Sequence, residues 1–328
     1  MTRRRNYSAL AWLLAIAIAT LTAIGLGSMA FGWPHYLELL SHFQLQYLGA
    51  SLLLLVALLS INRQLPFWLG LFCCVALAMP VVSWYIPEVG RSPESGDLRV
   101  LVANLNDKNQ RYELVFDLMQ QQEPDIAVFM EVDQDWQTQL DSGIALPHRY
   151  QKPTRSSAGI TLYSRYPLTA PPQSSLTSSD SPEHSVFAQL EVKGQPLLLA
   201  VTHPLPPTNS RWFTSRNRQL KRLAEDLQSA AGPILLVGDF NATMWSPYYR
   251  RFARRTGLEN ARKGFGILPS WPTQQSFQPL SGPAALLFSI PIDHCLHSAE
   301  LKVVNLELGQ FIGSDHRPLV IDLAIADA

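Results

Sequence analysis

Eight polar residues in the C-terminal two thirds of the chain have side chains that can bind a metal ion or move a proton. Each lies at an end of a short apolar run, or just beyond it, where a β-strand is expected to stop. The set comprises Asn104, Glu131, His203, Asp239, Asn241, Asp293, Asp315 and His316. Each residue alone is typical of a turn, but the repetition favours strand ends that converge on one polar pocket. Oxygen ligands without cysteine favour Mg²⁺ or Mn²⁺ over zinc.

The segments between these residues indicate which elements must position them. Short runs rich in leucine and β-branched residues, such as 98–106, 125–132 and 196–204, alternate with amphipathic stretches. In the stretch 112–122, apolar residues recur at helical spacing, and a second helix is expected at about 217–230. This alternation predicts an α/β or α+β domain with many short strands.

The order of the motifs, N…ME…TH…GDFN…IDH…SDHRP, resembles the endonuclease/exonuclease/phosphatase superfamily of deoxyribonuclease I-like, metal-dependent phosphodiesterases. The resemblance covers roughly residues 98–326. It implies a four-layer α/β sandwich, in which two mixed β-sheets pack face to face with helices outside. It also implies hydrolysis of a phosphoester by water with Mg²⁺ or Mn²⁺ as cofactor.

The resemblance assigns a role to each position. The implied metal ligands are Asn104, Glu131 and Asp315. The implied catalytic residues are His203, Asp239, Asn241, Asp293 and His316. The implied substrate-binding residues are Arg165, Asn241 and His203. In this scheme Asp239 holds or orients the attacking water, and Asp293 fixes the tautomer of His316. His294 is an alternative orienting residue, but alternation along a strand favours Asp293.

Three positions depart from the pattern of the superfamily. Ala103 and Met130 stand where many relatives have tryptophan and glutamine, and these changes concern packing more than chemistry. Asn106 occupies a position where many nucleases carry aspartate. A carboxylate for a second metal ion is therefore missing or supplied elsewhere.

The N-terminal part has the composition of a membrane anchor. Apolar runs at 9–31, 47–61 and 66–86 predict about three transmembrane helices within an anchor of residues 1–86. A segment rich in proline, glycine and serine, 87–97, predicts a linker to a catalytic domain at 98–328. The alternatives are cleavage of the first run as a signal peptide, and a re-entrant unit formed by the second and third runs.

The distribution of arginine predicts the orientation in the membrane. Arg3, Arg4, Arg5 and Arg63 are the basic residues among the first 90, and the loop 32–46 has neither Lys nor Arg. The positive-inside rule then places the N-terminus and Arg63 in the cytoplasm. Three spans leave the catalytic domain on the periplasmic side of a bacterial inner membrane.

Composition excludes several classes of protein. The chain has 328 residues, with 26 Lys and Arg against 26 Asp and Glu, and its long apolar runs exclude a fully soluble or disordered protein. Its three cysteines, Cys73, Cys74 and Cys295, provide neither a disulfide framework within a domain nor the spacing of a zinc site.

Two basic clusters, 211–222 and 250–255, bear on the substrate. Arginines beside aromatic residues suit a nucleic-acid backbone or the phospholipid headgroups of a membrane. The near-neutral charge of the domain argues against a high-affinity nuclease, and a membrane tether favours a lipid or a surface-bound substrate. A catalytically weak domain that acts as a membrane-tethered interaction module is the alternative of a different class.

Overall fold

A computed structural model describes residues 2–87, 96–152, 159–176, 185–276 and 281–325. The chain begins with a helical bundle, named here the bundle. Its helices are α1 (Thr2–Phe31), the short α2 (His35–Leu40), α3 (Gln44–Leu59) and α4 (Gln64–Val82). A 3₁₀ turn, Ser41–Phe43, joins α2 to α3.

Three segments of the bundle are long and apolar enough to cross a membrane: Ser8–Phe31, His35–Leu59 and Gln64–Val82. Large apolar side chains cover their outer surface, and Leu53 and Phe72 are more than 70% exposed. Such a surface is stable in hydrocarbon and unfavourable in water.

The helix ends differ from the predicted runs. The third predicted run, 66–86, corresponds to α4, which spans residues 64–82. Beyond its end, the main-chain oxygen of Trp84 accepts hydrogen bonds from the amides of Gly264 and Gly266 in the second domain. The second predicted run, 47–61, corresponds to α3, which spans residues 44–59. Most of the predicted linker, 88–95, lies outside the described residues.

The rest of the chain forms a domain of two sheets, named here the sandwich. Its strands are β1 (Leu98–Asn104), β2 (Ile126–Met130), β3 (His148–Lys152), β4 (Ile160–Ser164), β5 (Ser185–Val192), β6 (Gln195–Thr202), β7 (Ile234–Asp239), β8 (Glu259–Asn260), β9 (Asp293–His297), β10 (Leu301–Leu308) and β11 (Leu319–Ile325). Its α-helices are α5 (Tyr112–Gln122), α6 (Gln134–Gly143), α7 (Ser210–Gln228) and α8 (Pro247–Thr256).

Both sheets are mixed. The first has the order β10-β11-β1-β2-β4-β3, with β1 and β2 parallel, and the second has the order β5-β6-β7-β9-β8, with β6 and β7 parallel. Alternate residues of β1 face opposite sides, as a pleated strand requires. Val100 and Val102 pack between the sheets, whereas Leu101 and Ala103 pack with α5. With α7 and α8 on the second sheet, these layers confirm the predicted four-layer sandwich.

The bundle joins the sandwich at one end. Met29, Leu45, Leu48 and Trp84 pack against the same apolar cluster as α7 and α8, and Val81 is part of that cluster. These residues lie at the end of α1, the start of α3 and the end of α4. The sandwich therefore meets the end of the bundle that is opposite the α3–α4 turn.

Candidate active site

The strand order brings the polar strand ends of both sheets to one edge. Asn104 is the last residue of β1, and Glu131 follows the parallel strand β2. In the second sheet, His203 follows β6 and Asp239 ends β7. Because β9 runs antiparallel to β7, Asp293 lies opposite Asp239. Carboxylates, amides and imidazoles thus meet where the two sheets face each other.

Three residues at this edge have left-handed backbone conformations. The φ angles are 59° at Asn106, 57° at Glu131 and 49° at Asn241. This conformation costs a residue other than glycine about 1–2 kcal/mol, so the surrounding structure must enforce it. Part of the enforcement is local, because the main-chain amide of Asn241 donates to Asp239 Oδ1 at 2.8 Å. Such strain is common at functional sites, and all three residues line one cleft.

Glu131 and Asp239 form an acidic pair around Asn104. The amide nitrogen of Asn104 lies 2.9 Å from Glu131 Oε1 and 3.4 Å from Asp239 Oδ2. His203 Nε2 lies 3.6 Å from Glu131 Oε1 and 3.8 Å from Asp239 Oδ2. Burial raises the pKa of Glu131. Burial and the charge of Asp293 raise the pKa of Asp239 to about 8. A cation among these carboxylates would lower the pKa of both Glu131 and Asp239.

Asp293 and His316 form a buried pair. His316 Nδ1 lies 2.8 Å from Asp293 Oδ2, and His316 Nε2 lies 3.8 Å from Asp239 Oδ2. Burial opposes the charged imidazolium, but the Asp293 carboxylate outweighs it and raises the pKa of His316 to about 10. Burial likewise opposes ionisation of Asp293, and His316 nevertheless lowers the pKa of that carboxyl. The pair holds a positive imidazole edge towards the cleft.

His294 points to the other side of β9. Its Nε2 donates to the main-chain oxygen of Ala242 at 2.8 Å, and its Nδ1 lies 3.2 Å from Asn260 Nδ2. Burial lowers the pKa of His294 to about 3, which leaves the ring neutral. The buried Arg262 donates to the main-chain oxygen of Asp293 at 2.6 Å. In the sequence Arg262 looks like an ordinary loop cation, and no spacing reveals this contact.

Asp315 is held at the edge of the cleft by two donors. Asn106 Nδ2 donates to Asp315 Oδ1 at 2.7 Å, and Trp271 Nε1 donates to Asp315 Oδ2 at 3.1 Å. Trp271 carries no signal in the sequence, because a lone tryptophan before a proline has no chemical signature. Asn106, noted only as a replacement for aspartate, is the residue that fixes Asp315.

The orientation of Asn104 alters its predicted role. Its nitrogen faces the carboxylates, while its oxygen accepts a hydrogen bond from the main-chain amide of Asn106 at 3.1 Å. In this orientation Asn104 donates to Glu131 and Asp239 and does not present a metal ligand. A half-turn of the amide would be needed to bring its oxygen to an ion.

Arg165, which the resemblance assigns to substrate binding, lies away from the other predicted site residues. Arg165 follows β4, which runs antiparallel to β2, so Ser164 pairs with Ile126 at the start of β2. Glu131 follows the opposite end of β2. The Arg165 side chain instead lies 3.1 Å from Asp125 in an ion pair. The direction of β4 could not be read from its sequence, and this direction decides the position of Arg165.

The polar residues open into a cleft of about 880 Å³. The sandwich contributes Glu131, Asp239, Asn241, Asp315 and His316 to its walls, together with apolar residues that include Trp271, Ile290 and Ile292. Leu39, His42 and Phe43 of the bundle also line it. In the sequence their segment looked like a plain connection between two spans.

Several arginines of the two basic clusters contact the bundle. Arg216 is fully buried and lies 3.0 Å from Glu38 of α2. Arg250 donates to the main-chain oxygen of Met29, and the Arg251 guanidinium lies 4.7 Å from the centre of the Trp33 ring. These cations hold the bundle, which leaves a smaller basic surface for a nucleic acid or phospholipid headgroups than the sequence suggested.

Known proteins resemble the sandwich. The model of the Endonuclease/Exonuclease/phosphatase family matches residues 99–316. The UPF0294 protein of Vibrio parahaemolyticus is 26% identical over 148 residues, which are 44% of this chain and 47% of that protein. The chain thus spans about half the length of the curated relative that it matches.

Solved structures share the fold at low identity. An endonuclease/exonuclease/phosphatase from Bacteroides vulgatus has a TM-score of 0.56 and 15% identity, over 70% of this chain and 98% of that chain. The human Nocturnin catalytic domain, with a bound sulfate anion, has a TM-score of 0.54 and 20% identity. The match covers 70% of this chain and 93% of that domain. The 3′ phosphatase NExo from Neisseria, bound to a product DNA hairpin, has a TM-score of 0.54 and 18% identity. The match covers 69% of this chain and 99% of that chain. Because the family model matches about two thirds of its length, the chain belongs to the endonuclease/exonuclease/phosphatase family.

Proposed function

We propose that the chain is a membrane-anchored phosphodiesterase that uses Mg²⁺ or Mn²⁺ to hydrolyse a phosphoester bond with water. The observation that carries the proposal is the position of His316. Its Nδ1 is held by Asp293 at 2.8 Å, and its Nε2 faces Asp239, in a cleft that Glu131 also lines. One cleft thus combines carboxylates suited to a divalent ion with an oriented imidazole.

The side chains present fit a divalent cation. Burial is the main cause of the raised pKa values of Glu131 and Asp239, and neighbouring carboxylates add to it; a hard cation beside them would stabilise their ionised forms. We assign the ion to Glu131 and Asp315, with Asn104 positioning Glu131. When bound, the ion supplies charge neutralisation of the phosphate and stabilisation of the leaving oxygen.

Another group of residues comes close enough to share an ion. Ligand atoms of Asp239, Asp293 and His316 all lie within 4.8 Å of one another. However, Asp293 and His316 already share a hydrogen bond, and an ion there would have to displace its proton. We therefore favour the site around Glu131.

The remaining residues handle substrate and protons. Asp239 accepts a hydrogen bond from the attacking water and then its proton, since it lines the cleft with its Oδ2 3.8 Å from both His203 Nε2 and His316 Nε2. His316 donates from Nε2 to an oxygen of the phosphate, while Asp293 keeps its ring oriented. The Asn241 amide donates to the main-chain oxygen of Pro204 at 3.0 Å and to Asp239 Oδ2 at 3.3 Å, and it exchanges the longer of these bonds for one to a phosphate oxygen when substrate binds.

We also propose a multi-pass position in the inner membrane, with the sandwich on the periplasmic side. The arginines at both cytoplasmic ends and the docking of the sandwich at the opposite end of the bundle support this orientation. A periplasmic alkaline phosphatase fused after residue 328 should be active. An inactive fusion, with an active cytoplasmic reporter at the same position, would reverse the orientation.

The test of the catalytic proposal uses the full chain in lipid nanodiscs, because the core of the sandwich includes Val81 of the bundle. The substrates are bis-p-nitrophenyl phosphate, duplex and single-stranded DNA, RNA and phospholipid, each with EDTA, Mg²⁺ or Mn²⁺. We expect metal-dependent hydrolysis that falls at least about 100-fold in Glu131→Gln. Glu225→Gln, an exposed change on α7, is the matched control and should keep wild-type activity. Hydrolysis that is indifferent to EDTA and to Glu131→Gln would contradict the proposal.

A further inference from the structure

The bundle forms part of the wall of the catalytic cleft. Leu39 and Phe43, from the segment that joins the first two long helices, line the same cavity as Glu131 and His316. Both apolar side chains are half-buried, so part of each faces the open space. A mere tether would need no side chain inside the cleft.

Buried polar contacts fix this segment to the loop after β7 that carries Asn241, Thr243 and Ser246. Glu38 lies 3.0 Å from Arg216, and Arg216 Nη1 donates to the main-chain oxygen of Asn241 at 3.1 Å. Ser246 Oγ donates to Glu38 Oε1 at 2.6 Å, and His42 Nδ1 lies 3.0 Å from Thr243 Oγ1. The apolar wall therefore has a fixed position relative to the residues that handle the phosphate.

An exposed apolar rim lies beside the cleft at the level where the membrane helices begin. Leu37 and Leu40 on α2 are 45% and 38% exposed, and Leu287 and Phe288 of the turn Pro283–Phe288 are 71% and 48% exposed. The amide nitrogen of Gln46, in the first turn of α3, donates to the main-chain oxygens of Leu287 and Ser289 at 3.3 and 3.0 Å. Large exposed apolar side chains next to a membrane helix are stabilised in the interface of the bilayer.

We propose that the substrate is a lipid phosphoester that resides in the membrane leaflet facing the sandwich. Its apolar part lies against Leu39 and Phe43, while its phosphate reaches His316 and Glu131. The proposal rests on the phosphodiesterase function proposed above. It accounts for a cleft that is polar at the strand ends, apolar where the bundle lines it, and bordered by an apolar rim.

The reaction consumes one water molecule. The water oxygen bonds to phosphorus, and the ester oxygen leaves with the electron pair of the broken P–O bond. The proton that the water loses passes to Asp239 and then to the leaving alkoxide. Both products remain as an alcohol and a phosphate ester, and no oxidant or reductant is needed.

The test compares two phosphodiesters with the same leaving group. Hexadecyl 4-nitrophenyl phosphate resides in the membrane, and methyl 4-nitrophenyl phosphate is soluble in water. Both are offered to the full chain in dioleoylphosphatidylcholine nanodiscs with Mn²⁺. We expect kcat/KM for the hexadecyl ester to exceed that for the methyl ester at least tenfold.

Variants separate binding in the cleft from simple concentration of the probe in the membrane. Phe43→Ser should lower the ratio of the two kcat/KM values about tenfold, and Leu39→Ser provides a second variant should the first fail to fold. The matched control is Phe72→Ser, on the lipid-facing surface of α4, which should keep the wild-type ratio. A ratio that is the same in all three variants and the wild-type protein would overturn the lipid proposal.

The outcomes also distinguish this proposal from the one on which it rests. If the protein hydrolyses neither ester, the proposed phosphodiesterase function itself is contradicted. Equal hydrolysis of both esters, or a higher kcat/KM for a single-stranded oligonucleotide, would keep the hydrolase and overturn the lipid substrate. In EDTA, a phospholipid with a diazirine in its acyl chain should crosslink to the peptide containing Ile290 and Ile292. Crosslinks confined to the lipid-facing surface of the bundle would contradict the proposed binding mode.

Discussion

Arg216 of α7 and Glu38 of α2 form an ion pair at 3.0 Å in which both side chains are fully buried. The pair connects the bundle to the loop after β7, because the same guanidinium donates to the main-chain oxygen of Asn241. A charge buried without a partner is strongly unfavourable, so neither residue tolerates loss of the other. The pair therefore acts with the Ser246–Glu38 and His42–Thr243 contacts to fix the position of the bundle relative to the cleft.

Glu38→Gln should destabilise the protein by about 3–5 kcal/mol, because Arg216 then keeps a buried charge without its counter-charge. Thermal unfolding in detergent at neutral pH measures the loss. Glu225→Gln serves as the control, since Glu225 pairs with Arg255 at an exposed position, where an ion pair contributes about 0–1 kcal/mol. Equal losses in the two variants would mean that the Arg216–Glu38 pair contributes little.

Asp293→Asn should lower turnover about 10²- to 10⁴-fold with little change in metal affinity. The carboxylate contacts His316 Nδ1, and an amide would no longer stabilise the positive ring or fix its tautomer. Turnover of bis-p-nitrophenyl phosphate and titration with Mn²⁺, followed by electron paramagnetic resonance, measure the two quantities. A large loss of Mn²⁺ affinity would instead place Asp293 among the metal ligands, in the group that it forms with Asp239 and His316.

The strands and most site residues could be predicted because strand ends are marked locally in the sequence. Apolar runs of strand length stop at Asn104, Glu131 and Asp239, and parallel pairing brings such ends together. Arg165 shows where this reasoning fails. A polar residue after an antiparallel strand looks the same in sequence but lies at the opposite edge of the sheet.

The contribution of the bundle to the cleft could not be predicted, because it depends on packing between distant segments. Glu38 carried the one available signal, as an acidic residue beside an apolar span. A charge in such a segment usually has a buried partner, but the sequence does not say which of the many arginines it is. Trp271 and Arg262 carried no signal, because their roles arise from contacts with Asp315 and the Asp293 main chain.

Gly238→Ala should destabilise the protein by about 3–5 kcal/mol. A Cβ atom at Gly238 would lie 1.9 Å from the main-chain oxygen of Thr202, between the parallel strands β6 and β7, and the φ angle is 142°. Gly232→Ala is the matched control, because its φ angle of 83° is also positive but no atom of the described residues lies within 4 Å of the added Cβ. The control should lose only about 1–2 kcal/mol. Chemical denaturation of both variants measures the difference, and equal losses would show that β6 and β7 can separate without cost.

Stability should fall as the pH drops below about 6.5, and His294 should account for part of this loss. In the folded protein burial lowers the pKa of His294 to about 3, whereas in the unfolded chain it has its ordinary value of about 6.5. Between these values the unfolded state binds a proton that the folded state excludes. The free energy of unfolding therefore decreases by about 1.4 kcal/mol for each unit that the pH falls across this window. Above about pH 7 His294 causes no such decrease.

His294→Gln separates this effect from the other acidic transitions of the protein. Glutamine can donate to the Ala242 oxygen but takes up no proton, so its free energy of unfolding should depend less steeply on pH between 6.5 and 4.5. At pH 8 the variant should be about 1–3 kcal/mol less stable, because Asn260 and Arg262 lose the Nδ1 acceptor. The two stability curves should therefore converge as the pH falls. Parallel curves would mean that His294 is protonated in the folded protein, and would exclude its Nδ1 as the acceptor for Asn260.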